Sequence, residues 1–181
     1  MPIRFTDGIA QAALLNDRVS ASVTALELEV TKLFGEYRHP LFRYLLSLGL
    51  NPQDVEEIIQ DVFLALFQHL RAGKPRDNLR GWIFRVGHNL GLKLRMRRPV
   101  LMDVDDRIDP LPNPEQQALQ NQKQLRIDAV IRALPEQDRA CLSLRAEGFR
   151  YREIAEILSM SLGAVAQSLE RSLGKLRRGG S

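Results

Sequence analysis

The sequence predicts an all-α protein: two small helical domains joined by an acidic, proline-rich linker, the second domain containing a helix-turn-helix. Three observations predict it. Apolar residues recur at intervals of three and four through most of the 181 residues, with no convincing run of period-two alternation. Between Pro99 and Gln122 the chain gathers Pro99, Pro110, Pro112 and Pro114 with Asp103, Asp105, Asp106 and Asp109, a composition that resists packing. Finally, Tyr151–Arg178 carries a short apolar helical face, a break, and a second apolar face. The division that follows is an extension over 1–24, a first domain over 25–98, the linker over 99–122 and a second domain over 123–181.

The extension is weakly patterned, with a short helix expected around Ile9–Leu15. In the first domain Val55, Ile58, Ile59, Val62, Phe63, Leu66, Phe67 and Leu70 define a strongly amphipathic helix. Pro52 stands near its start, where a missing amide costs nothing, and Asp54, Glu56 and Glu57 suit the positive end of its dipole. Its outer face carries Glu57, Gln60, Asp61, Leu64 and Gln68, a mostly acidic surface fit for a basic partner helix. Gly73 and Pro75 then break the chain, and a further helix follows through Gly81–Leu90. There Trp82, Phe84, Arg85, His88 and Asn89 bring stacking, charge and amide groups together. Rings that stack on unpaired bases, set among arginines that neutralise phosphate, are what single-stranded nucleic acid binding requires. Core packing is the competing role for Trp82 and Phe84, and it is expected to hold for one of them.

In the second domain Ile154, Ala155, Ile157 and Leu158 form the first short face. Ser159-Met160-Ser161 interrupts it, and Leu162, Val165, Leu169, Leu173 and Leu176 resume it. Ala155 falls where two crossing helices approach closely, and Val165 where a branched residue locks them. Such a pair leaves its second helix free to enter a DNA major groove. Ser161 is a good N-cap. Ser159 stands where a tight turn favours glycine, at a cost of about 1 kcal/mol. Basic residues flank the motif: Arg150 and Arg152 before it, and Arg171, Lys175, Arg177 and Arg178 at its end.

Charge is segregated along the chain. The formal net charge is only +4, but Asp54–Asp61 holds four acids and no base, while Arg71–Arg98 holds nine bases against the single acid Asp77. Such segregation suits surfaces made for different partners. Cys141, the one cysteine, cannot form an internal disulfide and reads as a small core residue in a reducing cytoplasm. No apolar run approaches the about 20 residues that span a bilayer, and no signal peptide is evident. His88 has no ligand companions, since His39 and His69 lie far off in sequence, so neither a metal site nor a cofactor is expected. There is no phosphate loop, no paired catalytic carboxylates and no nucleophile with a base partner, so no enzymatic activity is expected.

At this point the chain resembles a bacterial RNA polymerase sigma factor of the sigma-70 family, of the small extracytoplasmic-function (ECF) type, over roughly Leu33–Arg98 and Ile127–Arg178. Glu57-Ile58-Ile59-Gln60-Asp61-Val62-Phe63-Leu64 resembles the segment that grips the polymerase clamp coiled coil. Leu79–Leu90, LRGWIFRVGHNL, resembles the segment that melts and reads the minus-10 element. Ala133–Arg139 followed by Glu147–Ala155 resembles the start of the domain that reads the minus-35 element.

The resemblance implies three sets of site residues. Glu57, Gln60, Asp61 and Leu64 would bind polymerase. Lys74, Arg76, Arg80, Trp82, Arg85, His88, Asn89, Lys93, Arg95 and Arg97 would serve the minus-10 region. Arg150, Arg152, Ser161, Gln167, Ser168, Arg171, Ser172 and Lys175 would serve the helix-turn-helix. The acidic linker would thread near the RNA path as an RNA mimic. Implied partners are core RNA polymerase, promoter DNA and an anti-sigma factor. The expected state is a monomer when free, in the bacterial cytoplasm, with no membrane insertion.

One departure stands out. The family places a lysine and an arginine early in the recognition helix; here Ala166 and Ser168 occupy those positions, leaving Gln167 for base edges. The first domain is therefore expected to supply much of the promoter contact, and the second mainly phosphate anchoring. Two other readings compete. One is a sigma-like decoy that binds an anti-sigma factor without reading DNA. The other is an ordinary helix-turn-helix transcriptional regulator, which would need a ligand or dimerisation domain, and the acidic amphipathic helix followed by a basic, aromatic one is a poor candidate for it.

Overall fold

The computed structural model describes the backbone of residues 6–97 and 126–179, and side chains from residue 23 onward within those ranges. The proline-rich linker expected over 99–122 lies outside the described residues. Helix α1 spans Thr6–Ser47, α2 Pro52–Arg71 and α3 Leu79–Arg97. A helical stretch over 126–132 leads into α4 at Glu136–Ala146, α5 at Tyr151–Leu158 and α6 at Leu162–Gly179. Among the described residues there is no strand, as the periodicity predicts.

The short helix expected around Ile9–Leu15 is instead the opening of a 42-residue helix that runs through position 24 without a break. No glycine or proline stands between Gly8 and Gly35 to end it. Helix α2 starts as read: Pro52 occupies its first turn, and the Asn51 side chain caps it by accepting from the Asp54 N–H at 2.8 Å. It buries Val55, Ile58, Ile59, Val62, Phe63, Leu66 and Leu70 against α1 and α3. Helix α3 comes close to α1 because Gly87 has no side chain; a Cβ there would meet Leu41 at 2.9 Å.

The helix-turn-helix forms as predicted, with one correction to its inner face. Ser159 adopts the left-handed conformation at φ 53° that ends α5, and Ser161 Oγ accepts from the Ala164 N–H at 3.1 Å to start α6. Val165 and Leu169 are buried as expected, but Leu162 and Leu173 are exposed. Ser168 and Ser172 complete the buried stripe instead. The spacing 165, 168, 169, 172 is a helical face, and its two serines are tolerated because each hydroxyl has a partner. Ser168 Oγ donates to Asp138 at 2.7 Å and Ser172 Oγ to the Ser168 carbonyl at 2.8 Å.

The two domains share one continuous apolar core. Helix α1 packs on α4, and α3 on α5. Phe149, fully buried between α4 and α5, meets the Phe84 ring edge-on at 4.7 Å.

Candidate polymerase and nucleic-acid interfaces

Helix α2 buries one side so completely that its other side is defined by default. Glu57, Gln60, Asp61 and Leu64 all lie on that exposed side. Leu64 is 58% exposed among acids, an apolar contact point with no internal neighbour to cover it.

Helix α3 has two polar faces with different fates. Arg85, Asn89 and Lys93, spaced by four, point to solvent, with half-buried Trp82 a turn ahead of them. The Trp82 ring lies 4.9 Å from that of His69. Phe84 is fully buried, so of the two aromatics Trp82 is the one that borders solvent. Lys74 and Arg97 are exposed, and Arg76 is exposed but paired with Glu29.

The opposite face turns to the second domain. Arg80 donates to the Glu147 carbonyl and lies 4.0 Å over the Phe149 ring. Arg95 lies 2.7 Å from the Glu136 carboxylate. Beside them Arg43 of α1 holds the Glu147 carboxylate with both Nε and Nη2, at 3.0 and 2.8 Å. That bond raises the Arg43 pKa. Arg80 and Arg95 were expected on DNA; in this arrangement both serve the seam between the domains.

His88, also expected on DNA, is a core residue. The buried Tyr44 hydroxyl is hydrogen-bonded to its Nδ1 at 2.7 Å. Burial pushes the Tyr44 pKa up, so its proton stays, and drops that of His88 to about 4. The ring is therefore neutral.

In the second domain Arg150 and Arg152 are exposed at the start of α5. The Arg150 backbone N–H donates to Glu153 at 2.7 Å, closing that helix start. Ser161 serves as a cap. Gln167 and Lys175 face solvent. Ser168 and Ser172, two further expected DNA contacts, are fully buried and cannot reach a groove from here. Arg171 is turned back on Asp138, with Nη2 at 2.7 Å and Nε at 3.3 Å. Burial pushes the Asp138 carboxyl up, but the Arg171 and Ser168 hydrogen bonds and the Arg171 charge outweigh it, and the net shift is downward. Asp138, Glu147 and Phe149 carry roles the sequence did not announce. Their partners stand 30 or more residues away, where no local pattern reaches.

An acidic helix face, a basic one and a helix-turn-helix together fit a protein that meets both a protein partner and DNA. Comparison with known proteins agrees. The profile of sigma-70 region 2 matches residues 33–98, and that of sigma-70 region 4 matches residues 124–176. The ECF RNA polymerase sigma factor SigE of Mycolicibacterium smegmatis is 29% identical over 153 residues, covering 81% of this chain and 59% of that protein. The ECF RNA polymerase sigma-E factor of Escherichia coli is 26% identical over 154 residues, covering 77% and 80%. The fold matches that of CnrH in complex with the cytosolic domain of CnrY, with TM-score 0.63, 22% identity and coverage of 88% and 92%. It also matches the sigma factor RpoE in complex with the anti-sigma factor NepR from Bartonella quintana, with TM-score 0.59, 20% identity and coverage of 83% and 96%. The chain belongs to the sigma-70 family and is a sigma factor of the ECF type. Among the described residues no helix is long and apolar enough to cross a membrane.

Proposed function

We propose that the chain docks on core RNA polymerase through the exposed face of α2 and engages promoter DNA at two places. Arg85, Asn89 and Lys93 of α3, with Trp82, serve the downstream element. The helix-turn-helix serves the upstream one, with Arg150 and Arg152 on phosphate. The observation that carries this reading is the opposite charge of two consecutive helix faces in one small domain. An acidic α2 face with Leu64 at its centre suits a basic helix of a protein partner, and a basic α3 face suits a polyanion. Both faces are exposed at once, so the two partners do not compete for one surface.

The proposed setting is the bacterial cytoplasm, with a monomeric free chain held in reserve by an anti-sigma factor, as the two structural relatives are in complexes with protein partners. The decoy reading draws on α6, whose leading face lacks a cation. The experiment that tests the docking surface is binding to core polymerase by Glu57→Lys and Asp61→Lys variants. A like-charge contact costs several kcal/mol at such an interface, so each reversal is expected to weaken binding at least tenfold, at unchanged melting temperature. Unchanged affinity in both removes α2 from the docking surface, a wild-type chain that binds no polymerase overturns the main reading, and one that binds a protein partner but no promoter DNA matches the decoy.

A further inference from the structure

What α6 buries decides what it can offer to DNA. Val165, Ser168, Leu169 and Ser172 turn inward. The outward side of its first two turns, from which recognition helices contact base edges, carries Leu162, Gly163, Ala166 and Gln167. Leu162 is 47% exposed. With Ala166 it lines an open cleft against Arg150, Tyr151 and Arg152 of α5. No lysine or arginine stands on α6 before Arg171, and Arg171 is held by Asp138 through two nitrogens. Glu170, a turn beyond Gln167, offers an acceptor and so no hold on guanine.

Guanine is recognised in the major groove by donors from arginine or lysine on its O6 and N7. This face has none to give. It has exposed carbon and one amide. Thymine presents a methyl group that apolar side chains contact, and adenine presents the N6 and N7 pair that glutamine matches. The cations that hold phosphate sit to one side, at Arg150 and Arg152, and carry no sequence information.

Resting on the assignment of α6 to the upstream element, we propose that this helix reads thymine and adenine and is blind to guanine. Leu162 and Ala166 contact thymine methyl groups, and Gln167 pairs with adenine. Leu162 is the main specificity residue, because it exposes the largest apolar surface on the face.

The test uses holoenzyme assembled from core RNA polymerase and the full chain, on promoters with a randomised upstream element and a fixed downstream one. Selected sites are expected to be rich in thymine and adenine. Replacing single selected thymines with deoxyuridine removes only the methyl group. At the contacted position this is expected to weaken binding about three- to fivefold, in line with one buried methyl. Leu162→Ala, a change at an exposed position that leaves the fold intact, should bind thymine and deoxyuridine equally at the position Leu162 contacts. Ala166→Arg should shift selection toward guanine. An element that matters but tolerates deoxyuridine at every position, or a selected guanine at the positions facing these side chains, overturns the methyl contact. Indifference to scrambling of the whole upstream element overturns the underlying assignment of α6 instead, while transcription dependent on the downstream element would still stand.

Discussion

Helices α3 and α6 are the two DNA-facing helices of the proposed function, and their exposed faces are built from opposite materials. Helix α3 shows Arg85, Asn89 and Lys93 beside Trp82. Helix α6 shows Leu162, Ala166 and Gln167, and its first arginine is already bonded to Asp138. A basic face binds any phosphate backbone, strongly and with steep salt dependence. An apolar face gives little affinity, yet it distinguishes bases. In the proposed function charge and readout are thus separated between the domains: the first would supply the grip and the second, through carbon contacts, a modest preference. The same division holds inside α3. Its outer cations face solvent, while Arg80 and Arg95, equally basic in sequence, are turned to the second domain.

The largest effect expected from this contrast is on the α3 side. Arg85→Ala combined with Lys93→Ala should reduce promoter opening by at least about 100-fold, since hydrogen bonds to charged groups contribute about 1.5–3 kcal/mol each. The salt dependence of binding should flatten as two phosphate contacts vanish. Both residues are exposed, so the melting temperature should not move. Transcription assays and a salt titration check this. Equal losses from the double α3 variant and from Leu162→Ala would erase the contrast.

Acid should separate the domains next. Burial holds the His88 pKa at about 4, against 6.5 in the unfolded chain. The unfolded state takes up a proton first, so the stability tied to neutral His88 is intact above pH 6.5 and drains as the pH falls toward 4. The total is about 3 kcal/mol. Asp138 behaves differently. Its folded pKa is lowered by Arg171 and Ser168 against the upward push of burial. Its contribution is intact above the ordinary carboxylate range and lost only as the pH falls through its depressed folded value. The first domain should therefore soften before the second between pH 6.5 and 4. Urea unfolding followed by Trp82 fluorescence measures this, and His88→Gln should abolish most of the slope. An unchanged slope in that variant would remove His88 as its source.

The smallest effect concerns the seam. Arg43 is exposed and Glu147 mostly covered, and their bidentate pair contributes about 1 kcal/mol. Glu147→Arg or Arg43→Glu alone should loosen α1 from α4, and the two together should restore the contact. Fluorescence energy transfer between labels on the two domains reports it. A double variant no tighter than the singles would show that Phe149 and Phe84 hold the seam without the ion pair.

Much of this was legible in the chain. The period of three and four in Val55–Leu70 defines the buried face of α2, and so places Glu57, Gln60, Asp61 and Leu64 outside. Pro52, Ser159 and Ser161 mark helix ends through backbone geometry and bonds confined to three or four residues. Such interactions depend only on local spacing, and local spacing is written in sequence.

The inner face of α6 was only half legible. Ser168 and Ser172 read as polar surface, and Leu173 as core, because hydropathy is a property of one residue while burial depends on partners. Asp138, a distant residue, makes Ser168 a core residue by accepting its hydrogen bond. The fate of the basic residues was decided in the same way. By sequence Arg80 and Arg85 differ in nothing that matters. The packing of α3 on α5 gives Arg80 the Phe149 ring and the Glu147 carbonyl, and leaves Arg85 in water. Sequence thus determined which helices form and the charge each carries. Tertiary structure decided which of those charges remain available, because an arginine's partner is fixed by which helices meet, and that is settled only when the whole core closes.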